Sequence, residues 1–148
     1  MPGPRLSERQ MRQVILLLGL TQLAVGVWLA VDPDSFVDKI AAFGPADHHF
    51  LRDLATFQGG IGIALLAAAG RPSWRVPVLF AALLQSALHT VNHLFDIGGT
   101  DPGWQGPLNF ASLLLLTLTF AYLMQEAGTD ERPRTPRDKP PAMNNLPA

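Results

Sequence analysis

Residues 13–31 have the sequence QVILLLGLTQLAVGVWLAV, a run without any charged side chain. As an α-helix this run nearly reaches the roughly 20 residues that cross a hydrocarbon core about 30 Å thick. Its apolar residues show no alternation of period two, and they surround the helix on all sides. The stretch therefore predicts a helix that spans a membrane.

Three further segments of the same character follow, and they predict spans at about 50–70, 76–97 and 107–125. Proline and glycine separate the segments, as expected at helix ends. The sequence thus predicts an all-α, up-and-down, four-helix transmembrane bundle over residues 13–125. A short N-terminal segment, 1–12, precedes it, and a tail rich in proline and charge, 126–148, is expected to be disordered.

The connection between the first two spans is the longest. Within it Asp34 is expected to cap a short amphipathic helix that lies along the membrane surface. The apolar side of that helix would carry Phe36, Val37, Ile40 and Phe43.

The composition supports a membrane protein. Only 16% of the 148 residues are charged, against roughly 25% in soluble domains, and 11 of the 113 positions from 13 to 125 are charged. The net charge of −1 offers no basic face for nucleic acid, so none is expected as a partner. The chain has no cysteine, which excludes disulfides, thiolate metal sites and cysteine nucleophiles.

Two alternative interpretations remain open. The first apolar run is compatible with a cleaved signal peptide ending near Ala30, although its removal would leave only three spans. A soluble helical bundle is the other alternative, but helices with almost no polar face would leave its surface too apolar.

Basic residues predict the orientation, because cytoplasmic flanks of membrane spans retain them. Nine of the eleven lysines and arginines fall on the predicted side that holds both termini. They are Arg5, Arg9, Arg12, Arg71, Arg75, Arg132, Arg134, Arg137 and Lys139. We therefore expect a multi-pass protein of the plasma membrane with both termini in the cytoplasm.

The third predicted span carries a polar stripe. Its members lie within about 100° of helical arc, and they are Gln85, His89, Asn92, His93 and Asp96. Since polar groups are costly in lipid, the stripe is expected to face the bundle interior in its outer half. Four supporting polar residues are expected at the same depth, namely Arg52, Asp53, His48 and His49.

Four hypotheses account for this stripe. In the structural one, Arg52 pairs with Asp96 and Asp53 accepts a hydrogen bond from His93. Four further polar residues bond between helices, namely Gln85, Asn92, Gln22 and Gln58. The second is a metal site. His89 and His93, spaced i and i+4, present two imidazoles on one face, and Asp96, His48, His49 or Asp53 would complete the ligands of a divalent metal or a haem iron.

The other two hypotheses need no metal. One is a proton path through the imidazoles, which titrate near neutral pH. The other is a pocket for a lipid or a quinone, in which His89, Asn92 and Gln85 bond the polar end and the apolar bundle encloses the tail.

Glycines predict close contact between the first two spans. Gly19, Gln22 and Gly26 share one face of the first span, and the second contains Gly59, Gly60 and Gly62. Small residues allow helix backbones to approach closely in membranes.

These features together resemble the DoxX-like superfamily of small four-span bacterial membrane proteins. The resemblance rests on Pro33 after the first span, Arg52 at the start of the second, the glycines at 59, 60 and 62, and four spans in about 120 residues. It implies a compact bundle in a bacterial plasma membrane and, for some members, association with quinone-linked or redox complexes. The third-span sequence HTVNHLFDI corresponds to no family motif, so it takes no functional residue from the resemblance.

The function predicted from the sequence is that of a small non-enzymatic accessory or interaction subunit. The alternative is a metal- or quinone-linked redox or transport component that uses the polar stripe, with His89, Asn92, His93 and Asp96 as its candidate site. Expected partners are the lipid bilayer, other membrane proteins or a second copy of the chain in a homo-oligomer.

Overall fold

The computed structural model describes residues 6–41, 43 and 47–130, and these form five helices. They are α1 (Glu8–Val31), α2 (Pro33–Lys39), α3 (His48–Ala69), α4 (Pro72–Phe95) and α5 (Gln105–Asp130). All except α2 are long and apolar enough to cross a membrane, by length and composition. The predicted all-α, up-and-down bundle of four apolar helices is confirmed, and the chain is treated below as a membrane protein.

Two helices start before their apolar runs. Ser7 caps α1, because its side chain accepts from the Gln10 backbone N–H while the Gln10 side chain accepts from the Ser7 backbone N–H. Pro72 occupies the first turn of α4, where its missing N–H has no helical partner to lose. These two helices therefore begin several residues before their apolar runs.

The last helix continues to Asp130, so the prediction of disorder from residue 126 is wrong for residues 126–130. Ala127 is buried, and the Leu6 backbone N–H donates to the Glu126 carboxylate at 3.1 Å. These contacts stabilise the extra turn. The rest of the predicted disordered tail, 131–148, lies outside the described residues.

The cap of α2 is Asp32, which corrects the prediction of Asp34. Pro33 takes the first helical position, so the residue before it becomes the cap, and its carboxylate accepts from the Ser35 backbone N–H at 3.2 Å. The indole N–H of Trp28 also donates to Ser35 Oγ at 3.1 Å. This contact holds α2 against the end of α1.

The backbones of α1 and α3 touch through glycine. A Cβ atom added to Gly62 would lie 2.6 Å from the backbone nitrogen of Leu23, and one on Gly26 would lie 2.7 Å from that of Gly59. A Cβ at Gly60 would meet open space. The predicted close contact is thus confirmed, with Gly60 outside it.

Helix α4 packs against α5 through small and hydroxylated side chains. Ser86 Oγ and Thr90 Oγ1 both form hydrogen bonds with Thr117 Oγ1, at 2.8 and 2.9 Å. The buried face of α4 includes Ser86 and Thr90 together with Leu79 and Ala82. The polar stripe therefore lies beside this face rather than on it.

The two ends of the bundle differ. We name one the packed end, where α1 and α4 begin and a core of fully buried apolar side chains includes Ile15, Leu65, Leu79 and Phe120. We name the other the cavity end, where α1 and α4 finish, α3 and α5 begin, and α2 lies.

Candidate functional site

The space between the helices at the cavity end is a cavity of about 540 Å³. This volume lies within the roughly 300–1,000 Å³ that is typical of small-molecule sites. Much of its wall is apolar and includes Leu29, Phe36, Phe43, Phe50, Leu54 and Leu113. The polar part of the wall is formed by Asp47, Gln58, His89, Asn92, His93, Asn109 and Ser112. The site therefore combines an apolar chamber with a few converging polar groups.

Helix α2 and the residues after it cover this cavity. Phe36, Val37 and Ile40 line it, and the side-chain amide of Asn109 donates to the Ile40 carbonyl at 2.6 Å. The side-chain amide of Gln105 likewise donates to the Lys39 carbonyl at 3.1 Å. Thus the apolar side of α2, which was predicted to lie along the membrane surface, faces the cavity.

The two imidazoles of α4 contact each other in the cavity wall. The Nε2 atoms of His89 and His93 are 3.1 Å apart, which is hydrogen-bond distance, and the Phe43 ring packs edge-on against His93. In a neutral pair one Nε2 donates and the other accepts, so one Nδ1 carries a proton while the other is an acceptor. The pair therefore presents one donor and one acceptor in either tautomer.

One of these ring atoms lacks a partner. His93 Nδ1 is buried and has no hydrogen-bond partner in the described part of the chain. A buried polar nitrogen without a partner is costly.

The other members of the polar stripe are less enclosed. Asn92 lines the cavity but is otherwise exposed, and Gln85 is half-buried without lining it. Asp96 is exposed at the C-terminal cap of α4. The prediction that the whole stripe faces the bundle interior is therefore wrong, because Ser86 and Thr90 occupy that face against α5.

The supporting residues do not join the imidazole pair. Arg52 and Asp53 are exposed, because Leu51 and Ala55 form the buried face at the start of α3. Asp53 lies 3.7 Å from His49 Nε2 on its own helix. The predicted pairs Arg52–Asp96 and Asp53–His93 are absent from the ion pairs and hydrogen bonds of residues 6–41, 43 and 47–130.

His48 instead ties α3 to α2. Its Nε2 atom lies 2.7 Å from an Asp34 carboxylate oxygen. Of the four residues predicted to bond between helices, Gln22 and Gln58 do so with each other, since Gln58 Nε2 donates to Gln22 Oε1 at 2.9 Å. Gln58 also lines the cavity, so this bond fixes part of its polar wall.

A metal site would need more ligands than the imidazole pair provides. Within the described ranges, no group of three His, Cys, Asp or Glu side chains is arranged to hold a metal ion. Catalytic zinc sites generally use three protein ligands and structural ones four. The side chains gathered here are better suited to hydrogen bonding than to holding a metal.

Sequence reasoning missed the contribution of α5. Asn109 is an isolated polar residue near the start of an otherwise apolar span, and that isolation is the signal that would have identified it. Its contact with Ile40 joins residues 69 positions apart, so the sequence did not predict Ile40 as its partner.

No family model, curated protein or solved structure matches this chain. The resemblance to the DoxX-like superfamily stays a prediction. Function is therefore inferred from the cavity.

Proposed function

We propose that this chain is a small non-enzymatic membrane protein that holds an amphipathic molecule, a lipid or a quinone, in the cavity at its α2 end. The observation that carries the proposal is the cavity itself, about 540 Å³ in volume, with an apolar chamber and a polar wall that includes His89, Asn92 and His93. An apolar tail would lie among Leu29, Phe50 and Leu54, and the polar end would bond to α4 and α5.

This proposal keeps the sequence-based prediction of an accessory protein and gives it a ligand. Location in a bacterial plasma membrane and membership of the DoxX-like superfamily are parts of the same proposal. They are supported by the distribution of basic residues and by the quoted glycines and proline. A quinone-linked role is the second candidate, favoured by the pair of hydrogen-bonded imidazoles in the cavity wall.

A pair of matched substitutions tests the proposal. Ala41 lines the cavity and Ala111 is exposed on α5 outside it, so Ala41→Phe places a ring where it obstructs the chamber while Ala111→Phe adds the same volume elsewhere. Each protein is extracted from membranes, and its bound lipophilic molecules are quantified by mass spectrometry relative to protein.

We expect one stoichiometric amphiphile with the native chain and with Ala111→Phe, and its loss from Ala41→Phe. Equal content in the native chain and Ala41→Phe, with circular dichroism showing both folded, would contradict the proposal.

A further inference from the structure

The charges around the cavity restrict the headgroup that it accepts. The described residues that line it include no lysine or arginine. The sequence between Ala41 and Asp47 contains no residue with an ionisable side chain. A carboxylate or phosphate head would therefore enter this wall without a permanent cation to pair with, which is costly away from water.

Among the described residues that line the cavity, one carboxylate adds to this effect. Asp47 caps α3, and its side chain accepts from the backbone N–H groups of His49 and Phe50 at 3.0 and 3.1 Å. Its acidic group is held in place by the helix and contributes a negative charge at the cavity rim. An anionic head would thus also meet repulsion.

The remaining polar groups of the wall can both donate and accept hydrogen bonds. Because the Nε2 atoms of the imidazole pair share one hydrogen bond and His93 Nδ1 is buried, His89 Nδ1 is the ring atom left to donate in one tautomer and to accept in the other. Asn92 has an amide N–H₂ and a carbonyl, and Ser112 has a hydroxyl. A hydroxyl group, which both donates and accepts, is the complement of such a wall.

We infer that the cavity selects an uncharged amphiphile whose head carries hydroxyl groups, such as an acylglycerol, over a fatty acid or an acyl phosphate of the same chain. This inference rests on the proposed function, that the cavity holds an amphiphile. The headgroup is selected because the described residues of the wall include no lysine or arginine.

The test uses the full chain in phosphatidylcholine nanodiscs at about pH 8, above the ordinary titration range of imidazole. A fluorescent acylglycerol is displaced by three probes that share the oleoyl chain: 1-oleoylglycerol, oleic acid and 1-oleoyl-glycerol 3-phosphate. Nanodiscs without protein correct for partition into lipid. We expect 1-oleoylglycerol to displace the fluorescent probe at a concentration about tenfold or more below that of either acid.

A substitution that adds a cation provides the converse test. Asn92 is exposed apart from its contact with the cavity, so Asn92→Lys is expected to fold. It should strengthen oleic acid binding about two- to fivefold relative to the native chain, whereas Asn92→Gln, the uncharged control, should leave the order of the three probes unchanged.

Each outcome separates the inference from the proposed function. If either acid binds the native chain as tightly as 1-oleoylglycerol, or if Asn92→Lys leaves oleic acid binding unchanged, the headgroup inference is wrong and the amphiphile site stands. If the fluorescent acylglycerol and all three probes fail to bind the folded native chain, the cavity is not a site for an acyl lipid, and both the headgroup inference and the lipid form of the proposed function are overturned.

Discussion

The same four long helices form both ends of the bundle, yet only one end is filled. At the packed end, Leu65, Leu79 and Phe120 are fully buried against one another. At the cavity end, a volume of about 540 Å³ separates the helices, and His93 leaves a buried nitrogen without a partner in the described chain. Since cavities and unpaired polar groups both cost stability, the packed end supplies stability that the cavity end gives up. This difference supports the proposal that the cavity end holds a ligand.

The largest expected difference between the two ends is the side of the membrane on which each one lies. The chain has no cysteine, so single exposed cysteines report location without background. Asp101→Cys marks the cavity end and Ser73→Cys the packed end, and both positions are exposed. Because basic residues favour the cytoplasmic side, we expect a membrane-impermeant maleimide to label Asp101→Cys in intact bacterial cells and Ser73→Cys only after permeabilisation. The reverse labelling would show that the cavity opens toward the cytoplasm.

The next effect concerns packing. Phe120 is fully buried at the packed end, whereas Phe50 lines the cavity and is 63% exposed. Phe120→Ala should lower the free energy of unfolding by about 3–5 kcal/mol, because it removes a ring from a close-packed core. Phe50→Ala should change it by less than about 1 kcal/mol. Reversible unfolding in mixed detergent micelles, followed by tryptophan fluorescence, measures both, and equal losses would show that the two ends are packed alike.

The features that the sequence predicted depend on short-range patterns. Four apolar runs and the glycines at 19, 26 and 62 determine the spans and the contact of α1 with α3, because length, hydropathy and side-chain size act locally. The spacing of four residues between His89 and His93 likewise predicted that their side chains lie side by side.

What the sequence did not predict depends on choices between competing faces or on distant partners. On α4, the face with Ser86 and Thr90 competes with the polar stripe for the helix interface, and it is the face that forms hydrogen bonds with Thr117 of α5. The cover formed by α2 depends on hydrogen bonds from Asn109 and Gln105, which lie on α5 far along the chain. No periodicity encodes such pairs.

The smallest expected difference compares one ion pair from each end. At the packed end, the Arg75 guanidinium is 5% exposed and forms two hydrogen bonds with Glu8, at 2.5 and 2.7 Å. At the cavity end, His48 and Asp34 are 46% and 68% exposed. Replacing each carboxylate by its amide removes the charge with little change in shape, so Glu8→Gln and Asp34→Asn form a matched pair.

Glu8→Gln should lower the free energy of unfolding by about 1–3 kcal/mol, because the buried Arg75 charge loses its carboxylate partner. The loss should fall toward the lower value, since Glu8 itself is largely exposed and Arg75 also donates to the Ala69 carbonyl. Asp34→Asn should cost at most about 1 kcal/mol, because water screens an exposed pair. The same micelle unfolding measurement compares them at low and high salt, and only the Asp34 effect should disappear as salt rises. A larger loss of unfolding free energy from Asp34→Asn would mean that the His48–Asp34 pair contributes more to stability than the Arg75–Glu8 pair at the packed end.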